Sequence, residues 1–143
     1  MTTQAIAQNN TTIARTFCEE VWGKGNLEAL PQLTRPDFSI FYPIMSAPMD
    51  RDSYGGLMAD VHTAFPDFRV TLNDIIAKGE KVVIAWTAQG THTGHFELLN
   101  LPPTSNAIRY TGMVIYRIED GYVAEGRGEE DIPTLLRQLG VWG

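Results

Sequence analysis

Between Phe68 and His92 the chain reads Phe68-Arg-Val-Thr-Leu-Asn-Asp-Ile-Ile-Ala-Lys-Gly-Glu-Lys-Val-Val-Ile-Ala-Trp-Thr-Ala-Gln-Gly-Thr-His92. Phe68, Val70 and Leu72 alternate with Arg69, Thr71 and Asn73, the period of a half-buried strand. Lys78-Gly79-Glu80 makes the turn, and a second strand runs from Lys81 to about His92. Downstream the pattern repeats. A third strand covers Ala107 to Ile118, turns at Glu119-Asp120-Gly121, and leads into a fourth from Tyr122 to about Glu129. The second half is therefore expected to be an antiparallel meander.

Upstream the period is helical. Ile13, Phe17 and Val21 form one stripe of a helix from Thr12 to Trp22, stopped by Gly23 and Gly25, with residues 1–11 expected as a flexible N-terminal segment. Asn26 is expected to cap a short helix bearing Leu27, Leu30 and Leu33, kept short by Pro31. Phe38 to Tyr42 reads as a brief strand. Asp50 or Asp52 starts a helix whose stripe is Tyr54, Leu57, Met58, Val61 and Phe65, with His62 on its flank and Pro66 at its end. A last helix spans Ile132 to Leu139 and stops at Gly140. Helices in front and hairpins behind predict an α+β fold in which helices cover one face of a curved antiparallel sheet, as a single domain over 12–143. Gly90, Gly112, Gly126 and Gly128 inside strands mark bends or close approaches, and a sheet bent that far forms a cone with an open mouth.

The 143 residues are 43% hydrophobic and carry 11 basic against 17 acidic side chains, a net charge of −6. A chain of this length buries roughly 68–70% of its unfolded surface and can sustain its own core. The acid excess argues against nucleic acid and against an anionic membrane surface. Cys18 stands alone inside a helical pattern and reads as a small buried hydrophobe in a reducing compartment. The longest purely apolar run is Val82 to Trp86, and no signal-peptide pattern precedes it, so the expected location is the cytoplasm. Phosphate-loop, nucleophile-elbow, Cys-x-x-Cys and His-Glu-x-x-His motifs are absent, so nucleotide and protease chemistry are not expected.

Gly90-Thr-His-Thr-Gly94, Leu101-Pro-Pro-Thr104, Tyr116-Arg-Ile-Glu-Asp-Gly121 and Leu136-Arg-Gln-Leu-Gly140 carry a resemblance, together with Trp22-Gly-Lys-Gly25, Pro36-Asp-Phe38 and Phe65-Pro-Asp-Phe68. In these runs the chain resembles the SnoaL-like polyketide cyclases of the nuclear-transport-factor-2-like superfamily, which also holds ketosteroid isomerases and limonene epoxide hydrolases. The resemblance implies a cone-shaped α+β barrel, usually a homodimer through its sheet, with a mostly apolar pocket and no cofactor. It also implies an aspartate as general acid/base in an intramolecular aldol closure, with a histidine on the neighbouring strand. Those positions fall on Gly128 and Val114, and a histidine frequent in the first strand falls on Phe41. Glycine and hydrocarbon cannot move a proton, so the cyclase residues themselves are missing here.

Strand parity selects the substitutes. If Gly128 faces the cone, Ala124, Gly126 and Glu130 do too, while Glu125, Arg127 and Glu129 face outward as a salt-bridged or dimer surface. Glu130 is then the nearest acid. Asp131 precedes Ile132-Pro133 and suits a helix cap. His92 shares the parity of Trp86 and serves either as a base or as a brace for the following loop. His92 and His95 lack a completing third ligand beyond Glu97, so no metal site is expected. Tyr42, Tyr54, Tyr110 and Tyr116 join polar tips to apolar bodies. The expected catalytic set is His92, Glu130 and Tyr116; the expected pocket wall is Tyr42, Tyr54, His62, Trp86, Val114 and Gly128. The function expected is binding of a small, largely apolar polyketide-, terpenoid- or steroid-like molecule, with cofactor-free isomerisation, cyclisation or hydration. The alternatives are a ligand carrier or sensor, or a dimerising interaction module.

Overall fold

The computed structural model describes residues 2–142; Met1 and Gly143 lie outside the described residues. In chain order the elements are α1 (Thr3–Phe17), a wide helical turn (Cys18–Gly23), α2 (Ala29–Leu33), β1 (Thr34–Phe41), α3 (Arg51–Ala64), β2 (Arg69–Lys78), β3 (Lys81–Thr91), a single turn (Glu97–Leu99), β4 (Ala107–Glu119), β5 (Tyr122–Glu130) and α4 (Ile132–Leu139). The strands form one open sheet in the order β1-β5-β4-β3-β2, curved around the helices as the α+β cone. The meander β2 to β5 is antiparallel as expected. β1 instead runs parallel to β5, so the sheet is mixed rather than purely antiparallel. Register shifts at Leu72/Asp74 and Arg117/Ile118 mark bulges that sharpen the local bend.

Local chemistry accounts for the helix ends. The Thr2 hydroxyl accepts from the Ala5 N–H at 3.1 Å and starts α1 at Thr3. Residues 3–11 are thus helical, a correction to the expected flexible segment and to the start at Thr12. Asn10, buried on this helix, donates from Nδ2 to the Gly79 carbonyl at 3.1 Å and ties α1 to the β2–β3 turn. At its far end the helix widens: Lys24 N–H reaches Glu19 O at 3.0 Å, five residues back. Asn26 does not cap α2 with its side chain; its Nδ2 donates to Glu20 Oε1 at 3.3 Å instead. Asp50 caps α3 through Ser53 N–H at 2.9 Å. Asp131 caps α4, accepting from the Thr134 N–H and hydroxyl, and Gly140 ends it at φ 78°.

The core lies between α1, α3 and the concave face of the sheet. Phe17 of α1 meets Phe38 of β1, Tyr54 of α3 and Tyr116 of β4 with ring centroids 5.3–6.1 Å apart. These rings are wholly buried and fill much of the cone. Cys18 is buried beside them, and burial pushes its thiol up to about 12, so it is an inert core residue.

Candidate active site

What the aromatic core leaves open is a small cavity against α3. Leu57, Met58 and Val61 of α3 form one wall, and Trp22 of the wide turn closes one side. Phe96 and Leu98 roof it, and Leu135 of α4 completes the apolar lining. Four of its lining residues carry polar groups: Tyr42, Tyr54, Tyr110 and Glu130. About 50 Å³ is open to the centre of a water-sized sphere, room for a few waters in this arrangement.

Glu130 is the acid of this cavity. Burial pushes its carboxyl up to about 7, and the charge of Glu129 beside it adds to the rise. It makes no hydrogen bond or ion pair with any other described residue. Burial likewise raises the phenols of Tyr42, Tyr54 and Tyr110, and these hydroxyls have no hydrogen-bond partner among the described residues. The cavity therefore presents one acid that titrates near neutrality and three phenols without partners among the described residues, inside hydrocarbon. Such a carboxyl can give or take a proton near neutral pH, and such phenols can hold an oxygen that gains charge.

The register of β4 on β5 explains how the acid arrives there. Val114 pairs with Gly128 and Gly112 pairs with Glu130, on the inner face. Gly126 and Gly128 are buried while Glu125, Arg127 and Glu129 are exposed. A side chain at position 128 would run into the ring of Tyr42, which lies directly on the glycine. The sequence profile of SnoaL-like polyketide cyclases matches residues 12–139.

The chain belongs to the SnoaL-like polyketide cyclase family.

Among solved structures it is similar to IdmH, a proposed polyketide cyclase from Streptomyces antibioticus, at 33% identity and TM-score 0.76 over 94% of this chain and 99% of that one. A proposed SnoaL-like polyketide cyclase from Jannaschia sp. CCS1 superposes with TM-score 0.85 at 19% identity, covering 96% of each chain. AclR, a proposed hydroxylase from Streptomyces galilaeus, gives 0.83 at 21% over 96% of this chain and 99% of that one. The latter two likenesses concern the fold. Among curated protein sequences none matches.

Within this SnoaL-like frame the expected site residues separate into two groups. Tyr42, Tyr54 and Glu130 meet at the cavity. Val114 is fully buried and Gly128 is covered by Tyr42, so neither lines accessible space, contrary to expectation. Trp86 sits one layer behind the wall, edge-on to Trp22 at 4.3 Å and to Tyr110 at 5.5 Å. Tyr116 belongs to the Phe17 cluster, its buried hydroxyl beside the Cys18 thiol. His62 also stands outside the cavity, its Nε2 2.7 Å from the Trp22 carbonyl, holding the wide turn that presents Trp22.

His92 lies away from the acid. Its Nδ1 accepts from the Thr104 N–H at 3.2 Å and lies 2.9 Å from the Thr104 hydroxyl. Burial lowers its pKa, which keeps the ring neutral. This is the brace of the Leu101–Asn106 loop rather than a base at the cavity. His95 pairs with Glu97 at 3.2 Å, and no group of three potential metal ligands occurs among the described residues. No described helix is long and apolar enough to cross a membrane.

Sequence reasoning missed Trp22, Phe96, Leu98 and Leu135 as cavity residues. Trp22 was visible only as part of its Trp-Gly-Lys-Gly run. The other three are ordinary apolar residues brought there by tertiary packing, with no local signal.

Proposed function

We propose that this SnoaL-like protein binds a small, largely apolar, oxygen-bearing molecule of polyketide, terpenoid or steroid type and transfers a proton on it through Glu130 without a cofactor. The observation that supports this most is the largely buried Glu130 carboxyl, without a partner among the described residues, lining one cavity with three phenols. As a carboxylate it takes the proton from a carbon beside a carbonyl, and the electron pair moves onto the carbonyl oxygen. A hydroxyl of Tyr42, Tyr54 or Tyr110 holds that oxygen. The carbon then bonds to an electrophile within the molecule, closing a ring, or is reprotonated elsewhere, giving an isomer; Glu130 returns its proton in either case. The 33% identity with IdmH, a proposed polyketide cyclase, is in keeping with this substrate class.

A ligand of that size needs the roof to open. Asp60 holds the roof turn, accepting from the N–H groups of Glu97 at 2.8 Å and Leu98 at 2.9 Å. Leu57 and Leu98 border both the cavity and an outer groove along α3, so entry runs between them. The test is a thermal-shift and mass-spectrometric screen against polyketide, terpenoid and steroid panels. A ligand that stabilises the protein and returns chemically altered, with alteration lost in Glu130→Gln, supports the reading; alteration that survives Glu130→Gln refutes it.

A second reading, a non-catalytic carrier or sensor, is favoured by glycine and valine at positions 128 and 114; it predicts ligands returned unchanged. For the assembly we propose a homodimer in the cytoplasm, joined through the outer sheet face. There Ile76 and Met113 are more than half exposed beside the Glu125-Arg127-Glu129 row. Light scattering of wild type and Met113→Glu tests it, a monomeric wild type overturning it.

A further inference from the structure

Trp86, Gly112 and Glu130 lie side by side across three strands. Trp86 pairs with Gly112 on β3 and β4, and Gly112 pairs with Glu130 on β4 and β5, so both side chains rise from the same inner face. Two strand spacings put the outer Cα atoms about 9–10 Å apart. The indole spans the first of these spacings: its Cζ2 and Cε2 atoms lie where a β-carbon on Gly112 would stand. Cε2 is bonded to Nε1, so the N–H adjoins the part of the ring that lies over Gly112, where the Glu129 backbone carbonyl also comes close.

Two further observations make this N–H consequential. The Trp86 Nε1–H is fully buried and has no hydrogen-bond partner among the described residues, an arrangement that costs about 1–3 kcal/mol. Trp86 is wholly inaccessible and not part of the cavity wall, so a ligand there cannot be its acceptor. The titratable groups around Glu130 are Glu129 and Asp131 on its own run, Tyr110 on β4, Tyr42 beyond β1 and Tyr54 on α3. None of these carries positive charge. Among the described residues the other donors that share this setting with the carboxylate are the phenols of the cavity, and the indole N–H stands across a single glycine.

We infer that Trp86 is a positioning residue for Glu130: its indole N–H closes on the Glu130 carboxylate when that group gives up its proton. The flexible glutamate side chain swings toward Gly112 to meet it. The tyrosine hydroxyls are thereby left for the ligand's oxygen. Gly112 is the condition for the contact, since any side chain there would run into both the indole and the Glu129 backbone carbonyl. The inference rests on the proton-transfer reading of Glu130, and its test is independent of turnover.

The experiment is a pH titration of protein carrying ¹⁵N-labelled tryptophan and ¹³C-labelled glutamate. Of the three tryptophans, exposed Trp142 serves as the internal reference, and Trp86→Phe and Trp22→Phe assign the other two indole signals. The expected result is that the Trp86 indole N–H shifts downfield with the same midpoint as the Glu130 carboxyl carbon, and that Glu130→Gln abolishes the shift. Replacing Trp86 by benzothienylalanine, which keeps the shape and loses the N–H, should raise the Glu130 midpoint by about 1 pH unit. A Trp86 indole signal that ignores the titration of Glu130, or a midpoint unmoved by the isosteric replacement, overturns the inference. Turnover surviving in Glu130→Gln would refute the proton-transfer reading and leave the pairing intact.

Discussion

The ring of Tyr42 rests on the bare backbone of Gly128, filling the space that a side chain at position 128 would need. The glycine is a packing partner of the tyrosine. Gly128→Ala should therefore destabilise the fold by about 1–3 kcal/mol, because the β-carbon forces the ring off its site. In Tyr42→Ala, where the ring is gone, the same substitution should cost much less. Chemical denaturation of the four proteins of this cycle checks it, and additive effects would refute the contact.

Glu130 predicts an inverted pH dependence. Its folded pKa, pushed up to about 7, lies above the unfolded value, so the folded state binds the extra proton between the two. Stability should then fall as pH rises from about 4.5 towards 7, by up to about 2–3 kcal/mol from this group. Glu130→Gln should match wild type near pH 4 and exceed it at pH 8. Thermal denaturation at the two pH values measures the difference.

His92 should behave as a structural residue. His92→Ala removes the acceptor of the Thr104 N–H and should cost about 1–3 kcal/mol. Hydrogen exchange at Thr104 and Ser105 should accelerate, whereas the chemistry at Glu130 should persist. Complete loss of turnover in a folded His92→Ala protein would contradict this.

Asp60 should govern access. Asp60→Ala frees the Glu97 and Leu98 N–H groups and should cost about 1 kcal/mol. The two amides should exchange faster and ligand association should quicken, with Leu57 and Leu98 parting more readily. Exchange spectrometry and stopped-flow binding test both effects.

Much of the architecture was legible because its signals are local. Alternation from Arg69 to Thr91 and from Ala107 to Glu130, with glycine turns between, specified the four antiparallel strands. Asp131, Pro133 and Gly140 delimited α4 to the residue. The first two turns of α1 were not legible, since residues 3–12 carry no apolar stripe. The helix is held there by the Thr2 cap and by Asn10 reaching Gly79, a partner 69 residues away.

The candidate site divides in the same way. Parity alone placed Glu130 on the inner face with Gly126 and Gly128, because alternation along a strand is a property of the backbone. Sequence also determined the identities at 114 and 128, a valine and a glycine, neither of which can move a proton. Only the tertiary structure decided what fills the space over the glycine. Tyr42 arrives through the parallel pairing of β1 with β5, and Trp22 through a wide turn pinned by His62. It likewise set His92 apart from the acid and left Trp86 across a glycine from it. These are matters of packing between segments distant along the chain, where the shape of every neighbour sets which side chain occupies the space, and no local pattern encodes that outcome.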